Sequence, residues 1–293
     1  MTDQPHRPVM PHEVLDLLQP APGKLFLDAT VGAAGHTKLL AEKGARVIGL
    51  DCDTDILDYA HQTLGSLLSQ VTLHQANFSQ LKDILGDQLV DGILFDLGVS
   101  SLQLDTPERG FSFRYDTPLD MRMDKRLKVT AADLVNGLGR KEFYDLFQKF
   151  GQERFARRIA DAILERRRVA PIKTARELAD LITQVKPRRG KIHPATKVFQ
   201  ALRIVVNDEL NELEAALPSA LSSLKPGGVV VVISFHSLED RLVKQIFRTH
   251  HQSGDFELLT PKPLTPTYEE VQANPRSRSA KLRAIRRKES AHA

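Results

Sequence analysis

The chain has no tryptophan, a single cysteine, four methionines and only 6% aromatic residues among 293 positions. One cysteine, Cys52, excludes an intramolecular disulfide and a cysteine-built zinc site. It lies between Asp51 and Asp53 after a strand-like run and reads as a half-buried small residue. No apolar run is long enough to cross a bilayer, so no membrane association is expected. Residues 1–7 are polar and lack the apolar segment of a secretory signal, which leads us to expect a cytoplasmic protein. The histidines show no metal-ligand spacing, and we expect no structural or catalytic metal.

Charge, by contrast, is abundant and segregated. Residues 140–191 hold 15 Lys/Arg against 7 Asp/Glu, and residues 274–288 hold 7 Lys/Arg and no acid. The whole chain is only +4, so the remainder is strongly acidic. Basic charge gathered into two segments of an acidic protein points to a polyanion-binding face.

Strand-like runs at 25–29, 45–50, 71–74 and 90–95 alternate with helix-like stretches at 36–43, 54–66 and 78–85. That alternation argues for a parallel sheet with right-handed crossovers. It stops between about 105 and 191. Thr130 and Thr174 there read as helix caps with an acid three positions on, and Phe143, Leu146, Phe147 and Phe150 recur at helical spacing. A helix is expected over 194–217, stopped by Pro218. A turn at 225–228 and a β-branched run at 229–235 then resume the sheet, with final strands at 256–260 and 281–286. The expected organisation is a sheet domain over 1–104 and 192–293 interrupted by a helical domain over 105–191.

The first strand ends in Asp28 and passes through Gly32-Ala33-Ala34-Gly35 into a helix; the second and fourth strands also end in acids, Asp51 and Asp96. Open α/β sheets bind nucleotide-containing ligands at these strand ends, and an acid after the second strand can accept from ribose hydroxyls. A dinucleotide oxidoreductase would want Gly-x-Gly-x-x-Gly to hold a pyrophosphate, which this turn lacks. Three carboxylates suit a cationic ligand without phosphate, and S-adenosylmethionine fits better than NAD.

Several phrases are more specific. They include His6-Arg7-Pro8-Val9-Met10, Asp28-Ala29-Thr30-Val31-Gly32-Ala33-Ala34-Gly35-His36, Asp96-Leu97-Gly98-Val99-Ser100-Ser101, Arg109-Gly110-Phe111-Ser112-Phe113, Leu119-Asp120-Met121-Arg122-Met123 and Ser234-Phe235-His236-Ser237-Leu238-Glu239-Asp240-Arg241. Over nearly its whole length the chain resembles the bacterial 16S ribosomal RNA cytosine-N4 methyltransferase family (RsmH/MraW). The resemblance implies a class I methyltransferase, Rossmann-like α/β sheet with an inserted helical RNA-binding domain. It implies transfer of methyl from S-adenosylmethionine to the N4 amine of a cytosine in the decoding region of 16S rRNA, with free rRNA or the small ribosomal subunit as partner. It also implies cofactor contacts from Ala34, Gly35, His36, Asp51, Phe78, Asp96 and Gln103. Where the family often has glycine, this chain has Ala34; if the site needs a positive φ there, alanine weakens it.

An amine acceptor must hold the planar exocyclic nitrogen while it attacks. Many amino-methyltransferases place an Asp/Asn/Ser-Pro-Pro-aromatic tetrapeptide after the fourth strand, but here it reads Asp96-Leu97-Gly98-Val99. Asp96 is the first candidate acceptor and His236 the second. Ser234 and His236 are candidate RNA contacts, and phosphates are assigned to Arg166, Arg167, Arg168, Arg188, Arg189, Arg276 and Arg278. A homodimer is compatible with the sequence. Two rival readings stay open: an RNA-binding assembly factor on an inactive methyltransferase fold, or a methyltransferase of protein or small molecules.

Overall fold

A computed structural model describes residues 7–188, 190 and 192–289. Among the described residues the seven strands are β1 Leu25–Asp28, β2 Arg46–Asp51, β3 Val71–Gln75, β4 Val90–Asp96, β5 Leu224–Ser234, β6 Phe256–Leu258 and β7 Lys281–Arg287. The helices are α1 Pro11–Leu18, α2 Gly35–Glu42, α3 Thr54–Leu64, α4 Leu81–Leu85, α5 Ser101–Asp105, α6 Ala131–Gly137, α7 Arg140–Lys149, α8 Ala156–Val169, α9 Ala175–Val185, α10 Thr196–Val206, α11 Glu209–Ser222, α12 Ser237–Gln252 and α13 Tyr268–Ala273. Among the described residues no helix is long and apolar enough to cross a membrane.

The chain divides into two compact units. The first comprises 1–98 and 210–293, the second Val99–Glu209. The second is wider than the 105–191 read from sequence. Val99 and Leu104 pack against its core, and Val198, Phe199, Ala201 and Leu202 of α10 form part of that core.

In the first unit the strand order is β3-β2-β1-β4-β5-β7-β6, parallel except for β7, which runs antiparallel to both neighbours. This is the Rossmann-like α/β sheet of class I methyltransferases. Chain order reverses between β1 and β4, and in open α/β sheets this is where the ligand crevice lies, beyond the strand carboxyl ends. Val229–Ile233 of β5 is buried throughout, as its unbroken β-branched run requires in a strand covered on both faces. Each such side chain stabilises the fold by about 1.5–3 kcal/mol. The expected turn at 225–228 lies inside the assigned strand: β5 begins at Leu224, with a register irregularity opposite Val90–Gly92.

The second unit is helical around its own core. Thr130 and Thr174 each accept from the backbone N–H three residues on, completing the capping boxes read from sequence. The helix expected over 194–217 is two helices. Val206 ends the first, Asp208 takes φ 50°, a left-handed conformation that cannot continue a helix, and the next begins at Glu209. Pro218 lies inside α11 rather than ending it. The loop before α6 is tied down by polar groups: Asn207 Nδ2 donates to Met121 O, Met123 N donates to Asn207 Oδ1, and Arg109 Nη2 donates to Arg122 O and Met123 O. Gly110 cannot be replaced freely there. At φ 71° its Cβ would lie 2.4 Å from Pro118 O.

Candidate active site

The turn after β1 is fastened to both flanking strands. Ala29 N donates to Leu94 O (2.9 Å) and Val31 N to Leu50 O (3.0 Å). Asp28, the first of the three acids, is fully buried and turned inward: its carboxylate accepts from Thr37 Oγ1 (2.6 Å) and Thr30 N (3.2 Å). It therefore holds the turn together instead of facing a ligand. Burial pushes its carboxyl up to about 6.

Asp51 is half-buried. Its Oδ2 accepts from Gly32 N and its Oδ1 from Asp53 N, both at 3.0 Å, so it joins the two loops that border the crevice. Each oxygen retains a lone pair for a further donor. Burial raises its carboxyl to about 7 against those two N–H groups, with Asp53 and Asp28 adding repulsion.

Asp96 closes β4. Its backbone N donates to Thr30 Oγ1 (2.6 Å), and His36 Nε2 lies 3.6 Å from Oδ2, beyond ordinary hydrogen-bond range. The side chain keeps 20% of its surface exposed, yet Oδ1 is itself buried with no hydrogen-bond partner among the described residues. Burial, then repulsion from Asp28 and Glu239, pushes this carboxyl up to about 8. A buried acceptor without a donor costs about 1–3 kcal/mol, and a ligand carrying N–H groups or positive charge relieves it.

The turn residues read as cofactor contacts are placed unevenly. Ala34 is fully buried at φ 64°, so the chain does carry alanine where the backbone is left-handed. His36 is 5% exposed, whereas Gly32 and Gly35 keep accessible surface. Phe78 is half-buried beyond β3, edge-on to Phe95 at 5.9 Å. Gln103 belongs to the second unit, where it makes a reciprocal cap with Ser100.

The candidate RNA contacts of the first unit differ from their sequence reading. Ser234 is 2% exposed, and its hydroxyl donates to Lys281 O (3.2 Å), so it is not presented to a substrate. His236 caps α12: its Nδ1 accepts from Glu239 N (3.3 Å), and its Nε2 lies 3.1 Å from Glu239 Oε1. Glu239 Oε2 in turn accepts from Phe235 N and His236 N. That reciprocal cap engages Nδ1, while Nε2 is buried with no hydrogen-bond partner among the described residues. Phe235 is packed partly into the sheet core.

Several basic residues also serve the fold. Arg166 Nη1 donates to Ala170 O, and Arg167 Nη1 donates to Val135 O while its guanidinium covers the Phe143 ring at 5.8 Å. Arg168 stays 73% exposed beside Glu165. The triplet is thus not a single cationic face. Within 276–288, Lys281 and Arg283 both pair with Asp240 (3.1 and 2.7 Å) inside β7, leaving Arg276 and Arg278 exposed on the turn before it. Arg188 is exposed, and Arg189 lies outside the described residues. The Asp240 pairing lay beyond a sequence reading because it joins residues 41 and 43 positions apart. The Glu239 cap had a visible signal: His-Ser-Leu-Glu keeps a capping box's spacing with histidine in place of serine.

Residues 3–288 match the model of the MraW methylase family. Among curated proteins the chain is 48% identical to a ribosomal RNA small subunit methyltransferase H of Syntrophotalea carbinolica, over 96% of this chain and 98% of that protein. It is 46% identical to one of Persephonella marina, over 96% and 99%. Among solved structures it is similar to an rRNA methylase from Streptococcus thermophilus, with a TM-score of 0.48 at 12% identity over 99% of each chain.

Proposed function

The chain belongs to the MraW methylase family, and from that premise we propose that it methylates small-subunit ribosomal RNA at the N4 amine of a cytosine, using S-adenosylmethionine in the cytoplasm. The observation that carries this reading is the carboxylate at the switch point, Asp96, with one oxygen buried and unmatched. The donor set fits the cofactor. Asp51 remains able to accept from sugar hydroxyls, Gly32 and Gly35 leave backbone surface at the turn, and Phe78 offers an aromatic wall beyond β3. A pyrophosphate would meet the carboxylates of Asp51 and Asp96, with Asp28 buried behind them, whereas a sulfonium and an ammonium are favoured there. When bound, S-adenosylmethionine supplies an electrophilic methyl group.

The protein's task lies with the nucleophile. A cytosine amine delocalises its lone pair into the ring and must pyramidalise to attack. The exposed part of the Asp96 carboxylate accepts one of the amine N–H bonds and holds the nitrogen in line, while the buried Oδ1 keeps the group poor in donors of its own. Such alignment supplies on the order of 7–11 kcal/mol in favourable cases. With its carboxyl raised to about 8, Asp96 is mostly protonated near neutral pH in the free chain; beside a positive charge the ionised form is favoured, and that form accepts the proton released after transfer. His236, engaged in its cap, orients the loop 234–239 rather than moving protons.

Calorimetry with S-adenosylmethionine and mass spectrometry of rRNA nucleosides test the reading together. The native chain should bind the cofactor, Asp51→Ala should lose that binding, and N4-methylcytidine should appear in 16S rRNA from cells lacking the gene once the chain is added. Cofactor binding without that nucleoside would redirect the reading to another acceptor. No heat with the native chain would leave an assembly factor.

A further inference from the structure

We propose that Tyr115 is a stacking platform for an unpaired base of single-stranded RNA, set among the cations Arg114, Lys173 and Arg176. The proposal rests on the RNA reading above and assigns it a contact point in the helical unit.

Residues 114–119 run alongside the start of α9. Pro118 pairs antiparallel with Thr174, Ala175 N donates to Thr117 O (3.0 Å), and Leu119 N donates to Lys173 O (3.0 Å). Arg176 Nη2 closes the other end by donating to Arg114 O (2.6 Å). Phe113 anchors the loop inward, stacked on His193 at 4.3 Å and edge-on to Phe199 at 5.2 Å. Two residues on, Tyr115 is turned out and 43% exposed, and its ring has no aromatic or cationic partner among the described residues. An aromatic held 43% exposed on a loop fastened at both ends, without a ring partner among the described residues, leaves surface for a ligand.

Its surroundings select the ligand. Arg114, Lys173 and Arg176 are all exposed. Glu177 is drawn away from them, accepting from Lys173 N and Thr174 N with the Arg166 guanidinium 3.6 Å off. Asp116 is the remaining acid on the loop. Cations around an open ring suit a phosphodiester chain whose bases are unstacked, because each base has a face to stack and each linkage a negative charge. A duplex keeps its base faces covered and offers phosphate contacts alone.

The absence of tryptophan makes the test direct. Tyr115→Trp places a single indole at the platform, and its emission is followed during titration with a short single-stranded oligoribonucleotide and with the same strand in duplex. Saturable quenching by the single strand, weak response to the duplex and no response from Tyr268→Trp, at a residue 74% exposed on α13, are expected. Tyr115→Ala should weaken single-strand binding about five- to a hundredfold while Tyr115→Phe retains it. An indole unmoved at concentrations where the native chain retains the strand on a filter would overturn the platform, as would equal binding by the alanine and phenylalanine variants. If the native chain methylates rRNA and the indole stays silent, the platform alone fails. If the native chain neither binds nor methylates RNA, the RNA reading fails and the platform with it.

Discussion

In the first unit Asp28, Asp51 and Asp96 end three neighbouring strands, Asp28 turned inward and the other two half-buried at the switch point, and each carboxyl is raised by burial. In the second unit the carboxylates of the loop before α6 are half-buried too, Asp120 at 27% and Asp124 at 18% exposed, yet they go the other way. Asp120 and Asp124 resist the burial that would raise them and are held below the ordinary value by hydrogen bonds and charge from Arg122 and Arg126. Neighbouring charge explains the difference. Among the described residues no Lys or Arg donates to the three strand-end acids, whereas the loop gives each acid an arginine two residues on. Concentrated like charge without a counter-ion is a poor way to stabilise a fold and a good way to receive a positively charged ligand. The helical unit instead balances its acids locally and leaves some basic side chains at the surface.

The sharpest way to break this comparison is to neutralise one crevice acid. Asp96→Asn keeps the shape but removes the charge and an acceptor lone pair. It should lower kcat by about 10²–10⁴-fold while the thermal midpoint holds or rises, as followed by rRNA methylation and calorimetric melting. Unchanged turnover would remove Asp96 from the chemistry.

How much of this was legible beforehand depends on the range of the interaction. The four N-terminal strands, the acids at strand ends 28, 51 and 96, and the caps at Thr130 and Thr174 are local patterns, and the structure has them within a residue or two. The break between Val206 and Glu209 was not legible, because its sequence lacks glycine and Asp208 takes a left-handed φ with no strong local signal. The arginine triplet misled for a related reason. Charge in sequence says nothing about which guanidinium will find a carbonyl, and Arg167 finds Val135 O, 32 residues away. The half-buried Asp51 and Asp96 could be placed at the crevice from strand ends alone, but that Asp28 would turn inward to Thr37 depended on the helix that follows.

Separating Arg167 from Arg168 sharpens the account of the basic unit. Arg167→Ala loses a bond to a backbone carbonyl and the cover over Phe143, and should destabilise the chain by about 1–3 kcal/mol in denaturant melts. Arg168→Ala should leave stability within about 0.5 kcal/mol and instead reduce the salt dependence of RNA binding. Equal effects of the two would mean that the triplet acts as one surface after all.

A pH series sets the two units against each other. A carboxyl with a raised folded-state value binds a proton at pH values where the unfolded chain has released it, so its contribution to stability falls as pH rises. For the strand-end acids that fall runs from about pH 4 to the range 6–8 set by their raised values. The ligand-free thermal midpoint should therefore drop from pH 5 to pH 8, by about 2–4 °C for each kcal/mol lost. Asp96→Asn should flatten the slope. Asp120→Asn should not, because a lowered carboxyl loses its contribution only in acid. A midpoint that rises across this interval would mean that the crevice acids are ionised and matched in the free chain.

The smallest expected effect concerns strain that the crevice already carries. Ala34 holds φ 64° at the head of α2, a conformation that costs an L residue about 1–2 kcal/mol and glycine little. Part of that gain is returned, since glycine adds freedom to the unfolded chain worth about 0.4–1 kcal/mol. Ala34→Gly should thus stabilise the chain by between about 0 and about 1.5 kcal/mol in denaturant melts. It should leave the affinity for S-adenosylmethionine nearly unchanged if the cofactor meets only the backbone of this turn, because the alanine methyl is fully buried and faces protein. A large gain in affinity would mean instead that the methyl group displaces the turn from its binding geometry. The left-handed turn would then be a tuning point for the cofactor rather than a residue of the fold.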